Sequence, residues 1–476
     1  MEVMPLTTQD RHLLSRFSYG VTPALARDAG GNAGQWFVRQ GQPAGIADAY
    51  ADGLIKWFPR MVASPGTLYQ RSVTGGYKGW EVCGDLQRWT LLRRMLSHRQ
   101  LHEVMTDFWS NLLHISAPHD KAWPWRLRYD ATIRAHALGS FRGLLQAAIT
   151  HPAMACYLDN ASSTRETLNE NLGRELLELH TVGIDGGYTE ADVRQSAMML
   201  TGYRVEVRDS YRAYYSVADH QDGPLRIMDF TDQNADPDGR AATGRYLRYL
   251  AHHPATAQRI AHRLCVQFVS DEPTAELVSV VAKAYLASGT AVIPTLQALI
   301  ATQEFQSSLG AKVRTPSEDA VATYRAVRVS VQPPTSNESF ANALVYQSQS
   351  MGQRVFDWPT PDGFPLRNES WVGVSRMLNS FQTHHLQAGG YYPRAQATHR
   401  SPASWLPALP ARFDVVVDHV CRQLLARPAS ADLQRAASIR LQISAGTRIG
   451  TSADLPAYKI TRLLGTLLDS PQHMTR

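Results

Sequence analysis

The chain has 476 residues, of which 44% are hydrophobic and 19% charged, with 48 Lys+Arg against 42 Asp+Glu and a formal net charge of +6. This length and composition exclude a disordered or fibrous chain and allow two helical sub-domains with substantial cores. Only six basic residues are lysine, and no basic run carries interleaved aromatics, which argues against a nucleic-acid partner. Four cysteines without a CxxC pair give neither a zinc knot nor a disulfide framework. No apolar run approaches membrane-spanning length, so no membrane partner is expected. The start, Met1-Glu2-Val3-Met4-Pro5, lacks a basic segment followed by an apolar one, and a cytoplasmic location is expected.

In chain order, residues 7–20 read as a short helix and 23–82 as an irregular region with helical pieces. From Leu86 to Leu113 apolar residues, Trp109 among them, recur near 3.6 spacing and predict helix. His114 ends it, as a terminal cation or as a site residue. His119–Trp125 reads as a loop, and a helix is expected from Asp130 towards Ile149, stopping before His151-Pro152. The Asp159-Asn160 turn then leads to the most informative stretch, Thr167 to Tyr203.

Thr167 with Glu170 has the spacing of a capping box, and Gly183 stands where a left-handed residue ends a helix. A helix over 168–182 follows, and Thr189 with Asp192 opens the next. At about 100° per residue, Leu168, Leu172, Leu176 and Leu179 form one apolar seam. Asn171, Arg174, Glu175 and Glu178 fall on a neighbouring stripe, with Arg174–Glu178 spaced as an i,i+4 ion pair. On that geometry His180 lies over a third of a turn from either glutamate.

Residues 203–217 alternate and predict a small β-hairpin, whereas Asp-rich 221–239 reads as a solvated loop. The remainder is helix after helix: 255–270, 274–288, 291–303, 317–330, 337–350, 371–381, 412–426, 431–444 and 456–469. Between them, proline-rich Gly352–Trp371 is the one long irregular piece and is expected to wall a site through Trp358, Asp362 and Trp371. The predicted fold is mainly α, a multi-helical bundle of an N-terminal region 1–240 and a C-terminal region 241–476 in one unit.

Blocks spread over most of the chain resemble the DUF1800 family of bacterial proteins. They include His12-Leu13-Leu14-x-Arg16-Phe17-Ser18-Tyr19-Gly20, Phe108-Trp109, His151-Pro152-Ala153-Met154 and Asn169-Glu170-Asn171. The series continues with Arg174-Glu175-Leu176, Glu178-Leu179-His180-Thr181, Asp185-Gly186-Gly187-Tyr188-Thr189 and His253-Pro254, and ends with Trp358 to Pro365. The resemblance implies a family and no reaction. After Phe-Trp, members read His-Asn-His-Phe, whereas this chain has Ser110-Asn111-Leu112-Leu113-His114.

Carboxylates turned inward persist only if paired with arginine, bound to metal or used to move protons. The leading expectation is therefore an enzyme acting on a small-molecule substrate, with Asn171, Arg174, Glu175 and Glu178 catalytic and Trp109, Trp358, Asp362 and Trp371 contacting substrate. A divalent metal (Fe, Mn or Zn) would draw on Glu175, Glu178, His114, His151 and His180, as helical bundles do with inward Glu and His. The Glu-x-x-His pair of di-iron bundles is missing. Haem is not expected, because Ile184-Asp185-Gly186-Gly187 stands where a haem-peroxidase-like Leu-His-Thr would continue Arg-Glu-His-Asn. The opposing reading is a non-catalytic binding or maturation protein in which the Arg/Glu stripe is a structural salt-bridge network.

Overall fold

Caps and prolines set where most helices start. Thr189 opens Glu190–Met199: its Oγ accepts from the Asp192 N–H (3.3 Å), while Asp192 Oδ2 accepts from the Thr189 N–H (2.8 Å), the reciprocal box predicted above. Pro254 and Pro316 occupy first helical positions, where their missing N–H costs nothing. In this computed structural model, which describes residues 6–336 and 338–476, the fold is mainly α. Helices of the second half such as Pro254–Phe268, Ala275–Ala287 and Ala457–Leu468 lie close to the predicted spans, whereas the helix expected over 371–381 is Val374–Gly389, which ends only at the left-handed Gly390.

Two long helical patterns are each split. Gly79–Leu96 and Gln100–Leu112 are separated at Ser97, where Asp48 accepts from the Ser97 hydroxyl and the His98 N–H and fixes a bend. Arg126–His136 and Phe141–Ile149 are separated by Leu138-Gly139-Ser140, with Ser140 capping the second helix. Apolar periodicity continues through both bends because both helices of each pair face the same core.

The strands form four two-stranded antiparallel pairs among the described residues. Tyr203–Val205 with Ala213–Tyr215 is the predicted hairpin. The expected solvated loop at 221–239 instead contains a hairpin of Leu225–Ile227 and Phe230–Asp232. Leu225 and Ile227 are buried, and the Glu190–Met199 helix accepts the hairpin's backbone, Asp192 Oδ1 from the Met228 N–H and Gln195 Oε1 from the Arg226 N–H.

One contiguous apolar cluster runs from Leu14 to Leu468. Phe17 stacks on Phe268 with ring centroids 4.7 Å apart, and His12 Nε2 bonds the Phe305 carbonyl at 2.8 Å. The first helix, Thr8–Arg16, thereby packs into the second half of the chain. No described helix is long and apolar enough to cross a membrane.

Candidate functional site

The segment expected as one α-helix over 168–182 is built differently. It starts at Asn171, and Asn171–Glu175 is a short α-helix that passes into a π-helix at Leu176–His180. The Thr167/Glu170 capping box does not form: the Thr167 N–H donates to Thr164 Oγ1, and Asn169 Oδ1 accepts from the Asn171 N–H. Gly173 is what lets this segment lie on Glu190–Met199. A Cβ there would sit 2.6 Å from the Ala197 nitrogen and 2.9 Å from the Val193 oxygen. At the far end Gly183 takes φ 89°, the left-handed handover predicted, with its N–H donating to the Leu177 carbonyl (2.9 Å). Arg259 closes the widened turn by donating from Nε and Nη2 to the Leu179 carbonyl (3.2 and 2.9 Å). π-turns of this kind recur at functional sites.

Of the polar stripe, Arg174 turns away. It makes a two-pronged pair with Glu190 (2.8 and 2.6 Å), not the i,i+4 pair with Glu178. Glu175 and Glu178 are half-buried, and among the described residues neither has a Lys, Arg or His nitrogen within 4.0 Å. Glu178 accepts only from the Tyr188 hydroxyl (3.3 Å). Burial, then the Glu178 charge, raise the Glu175 carboxyl above its ordinary range; Arg174 opposes and Asp362 adds to the rise. Tyr157, almost fully buried, is pushed up to about 12, chiefly by burial, and stands within range of both Asp362 and Glu175.

Asn111 stitches the loop to the end of Gln100–Leu112. Its Nδ2 donates to the Phe364 carbonyl (2.8 Å) and its Oδ1 accepts from the Phe364 N–H (2.7 Å). Gly363, at φ 75°, is pressed so close to Asn111 that a Cβ would collide with the asparagine backbone. Trp358 Nε1 donates to Asp362 Oδ1 (3.0 Å), holding that carboxylate at the rim. Arg259, Arg263, His262, Asp362 and Phe364 line a cavity of about 360 Å³ here. Arg263 is half-buried; burial and Arg259 push it down to about 10, with Asp362 the acid that opposes, and its Nε–H has no partner.

Other expected members fall elsewhere. Trp109 is 1% exposed and donates to the Ala137 carbonyl (2.9 Å), so it is core and cannot touch substrate. Trp371 is buried and donates to the Pro365 carbonyl (3.0 Å), bracing the loop from behind. His151 caps Pro152–Tyr157, Nδ1 accepting from the Ala153 N–H (3.1 Å), and its ring packs edge-on against Trp125 and Tyr129. Asp159 pairs with Lys121 (2.6 Å).

His114 is not a solvated terminal cation. It is buried, its Nε2 lies 3.0 Å from the Trp358 carbonyl, and burial pushes it down to about 4. His180 is fully buried, with Nδ1 3.0 Å from the Leu112 carbonyl; it too is pushed down to about 4 by burial, and its Nε2 is left without a partner. The proposed ligand set of Glu175, Glu178, His114, His151 and His180 is therefore not assembled. Among the described residues the group of three that gathers ligand atoms within 4.8 Å is Asp319, His384 and His473.

That trio is an internally neutralised network. His384 bonds Asp319 Oδ1 through Nε2 (3.0 Å) and Asp469 Oδ1 through Nδ1 (2.8 Å), so both ring nitrogens donate. Arg376 and Ser380 take the other Asp319 oxygen, and Thr323 meets His473 Nε2 at 2.8 Å. Sequence reasoning missed these residues, which come from 319 to 473 without shared spacing. It also missed Asn111, Tyr157, Tyr188, Arg259 and Arg263; the signal at hand was Asn111 and Tyr188 lying inside motif blocks.

A family model described as a protein of unknown function (DUF1800) matches residues 12–475. No curated protein and no solved structure matches the chain.

Proposed function

From the premise that this chain belongs to the DUF1800 family over nearly its whole length, we propose that it is an enzyme whose reaction centre is the Glu175–Glu178 carboxylate couple. The observation that carries the reading is two neighbouring half-buried carboxylates with no Lys, Arg or His nitrogen within 4.0 Å among the described residues; the cavity edged by Arg259 and Arg263 is walled by other residues, and its link to the couple is Asp362, whose charge acts on Glu175. Unpaired carboxylates in such a position are costly to folding, and that cost is characteristic of groups kept for chemistry. Glu175, with its raised affinity for a proton, serves as the donor. Glu178, steadied by the Tyr188 hydroxyl, serves as the acceptor. Arg259 and Arg263 on the cavity wall suit a small organic anion, with Asp362, held by Trp358, beside them. The salt-bridge alternative loses support, because Arg174 pairs with Glu190 at the surface and leaves both glutamates unpaired.

The test compares native chain with Glu175→Gln and Glu178→Gln, following turnover across a panel of small organic anions by mass spectrometry and melting by calorimetry. Each variant is expected to melt no lower than native, and Glu175→Gln to lose turnover by about a hundredfold or more. A large drop in melting temperature for either variant would return the glutamates to a structural role.

A metal-dependent version rests on His180 alone, whose Nδ1 is held by a carbonyl while Nε2 is bare, the posture of a metal-ligating histidine. Elemental analysis of the native protein and of His180→Gln tests it: a stoichiometric divalent ion lost in the variant favours it, and an ion content unchanged by the substitution removes it.

A further inference from the structure

A cavity of about 760 Å³ lies away from the glutamates, beside the C-terminal end of Pro316–Val327 and the bend at Ser97. Four arginines line it, Arg27, Arg39, Arg325 and Arg328, with Asp28 the one acid on its wall. Asp28 is committed to Arg39 at 3.7 Å, near the opening. Arg325 spends Nη1 on the Met95 carbonyl (2.7 Å), and its Nε–H is buried without a partner. Arg328 spends Nη2 on the Gln423 carbonyl and side-chain oxygen (2.7 and 3.0 Å). Among the described residues, no carboxylate comes within 4.0 Å of Arg27, Arg325 or Arg328. Leu25, Ile46 and Met95 give an apolar part of the wall, beside polar Thr22, Gln40, His98 and Gln100.

A guanidinium withdrawn from water and given only carbonyl partners keeps most of its charge uncompensated. Burial pushes Arg325 and Arg328 each down to about 10, and the charged neighbours acting on them are other arginines. A carboxylate or phosphate entering the cavity would meet two donor edges whose desolvation cost has already been met, the situation in which charge-assisted hydrogen bonds are strongest. The volume falls in the range of small-molecule sites, and the apolar walls would cover a hydrocarbon body.

We propose that this cavity is a second ligand site, taking an organic anion with its head group on Arg325 and Arg328 and its apolar body along Leu25, Ile46 and Met95. The inference is independent of the glutamate centre. Its test uses the whole chain and four probes in isothermal titration: octanoate, octyl phosphate, octanol and inorganic phosphate. At least one octyl anion is expected to bind about tenfold or more tighter than octanol and tighter than inorganic phosphate. Which anion wins distinguishes a carboxylate ligand from a phosphate one. Arg328→Gln and Arg325→Gln should each weaken that anion about tenfold while leaving octanol unchanged. Arg328→Gln, nearer the surface, keeps the test informative if Arg325→Gln fails to fold. Octanol binding as tightly as both anions, no octyl anion binding at millimolar concentration, or an Arg328→Gln variant that binds like native would each overturn the proposal.

Discussion

Raising the pH should cost this protein stability through His384, and by an amount the geometry sets. The ring lies between Asp319 and Asp469 at 3.0 and 2.8 Å, 1% exposed at its side chain. Burial pushes its proton affinity down, but the charge and hydrogen bond of Asp319, joined by Asp469, outweigh that and raise it from 6.5 to about 9. At about 1.4 kcal/mol per pH unit, that rise is worth about 3 kcal/mol. Because the folded value lies above the unfolded one, the contribution is complete below about pH 6.5, falls as pH rises, and is essentially gone above about pH 9. Urea unfolding of native chain and His384→Gln at about pH 6, 7.5 and 9 measures it directly. Groups common to both proteins cancel in the difference, so native should lose about 3 kcal/mol more than the variant across that range. Parallel pH curves would refute the doubly bonded imidazolium.

Three further outcomes follow from contacts described above or beside them. Glu103 accepts from Arg93 (2.8 Å) and Arg134 (2.7 Å) with no exposure of its side chain, and although burial raises its carboxyl, those arginines hold it down to about 2. Its contribution is present above about pH 4.5 and lost as pH falls towards about 2, so Glu103→Gln should cost about 3–5 kcal/mol at neutral pH and flatten the acid limb in calorimetric scans. Asn111→Ala removes both bonds to Phe364 and should cost about 1–3 kcal/mol, with faster amide exchange confined to residues 358–366 as the readout. Gly173→Ala, meeting the Ala197 backbone, should lower stability by about 1–3 kcal/mol in denaturant titrations; an unchanged midpoint would mean the two segments can part freely.

How much of this was legible in the sequence differs by element. The Thr189–Asp192 box, the left-handed Gly183 and most of the later helices are local devices, complete within a few residues, and are present as read, whereas the helix expected to stop at 381 runs on to Gly389. Spacing puts Glu175 and Glu178 side by side, and both are half-buried, but their partners were not legible. Arg174 had two acids in reach, and only the position of Glu190 on the next helix decides between them. His180 is a candidate ligand on sequence alone, but its bearing was not legible, because 100° arithmetic presumes an α-turn and nothing local in Leu176–His180 announces a wider one. Trp109 and His151 were placed by type, and burial reassigns both. The Asp319 network joins residues as far apart as 319 and 473, a pairing that periodicity cannot encode.

The wide turn at Leu176–His180 amounts to one residue of slack wound into the chain between the glutamates and the Gly183 corner. Deleting a single residue there is therefore a smaller insult than in an ordinary helix: the ladder can tighten into plain α geometry while the corner stays seated. The segments on either side would keep their bearing, because the extra residue is absorbed within a single turn. What would change is the inside of the turn, where Glu178 sits while Glu175 lies just before it. The spacing of the two carboxylates is thus written in the length of this turn as much as in their identity, and a relative one residue shorter here would set the pair differently.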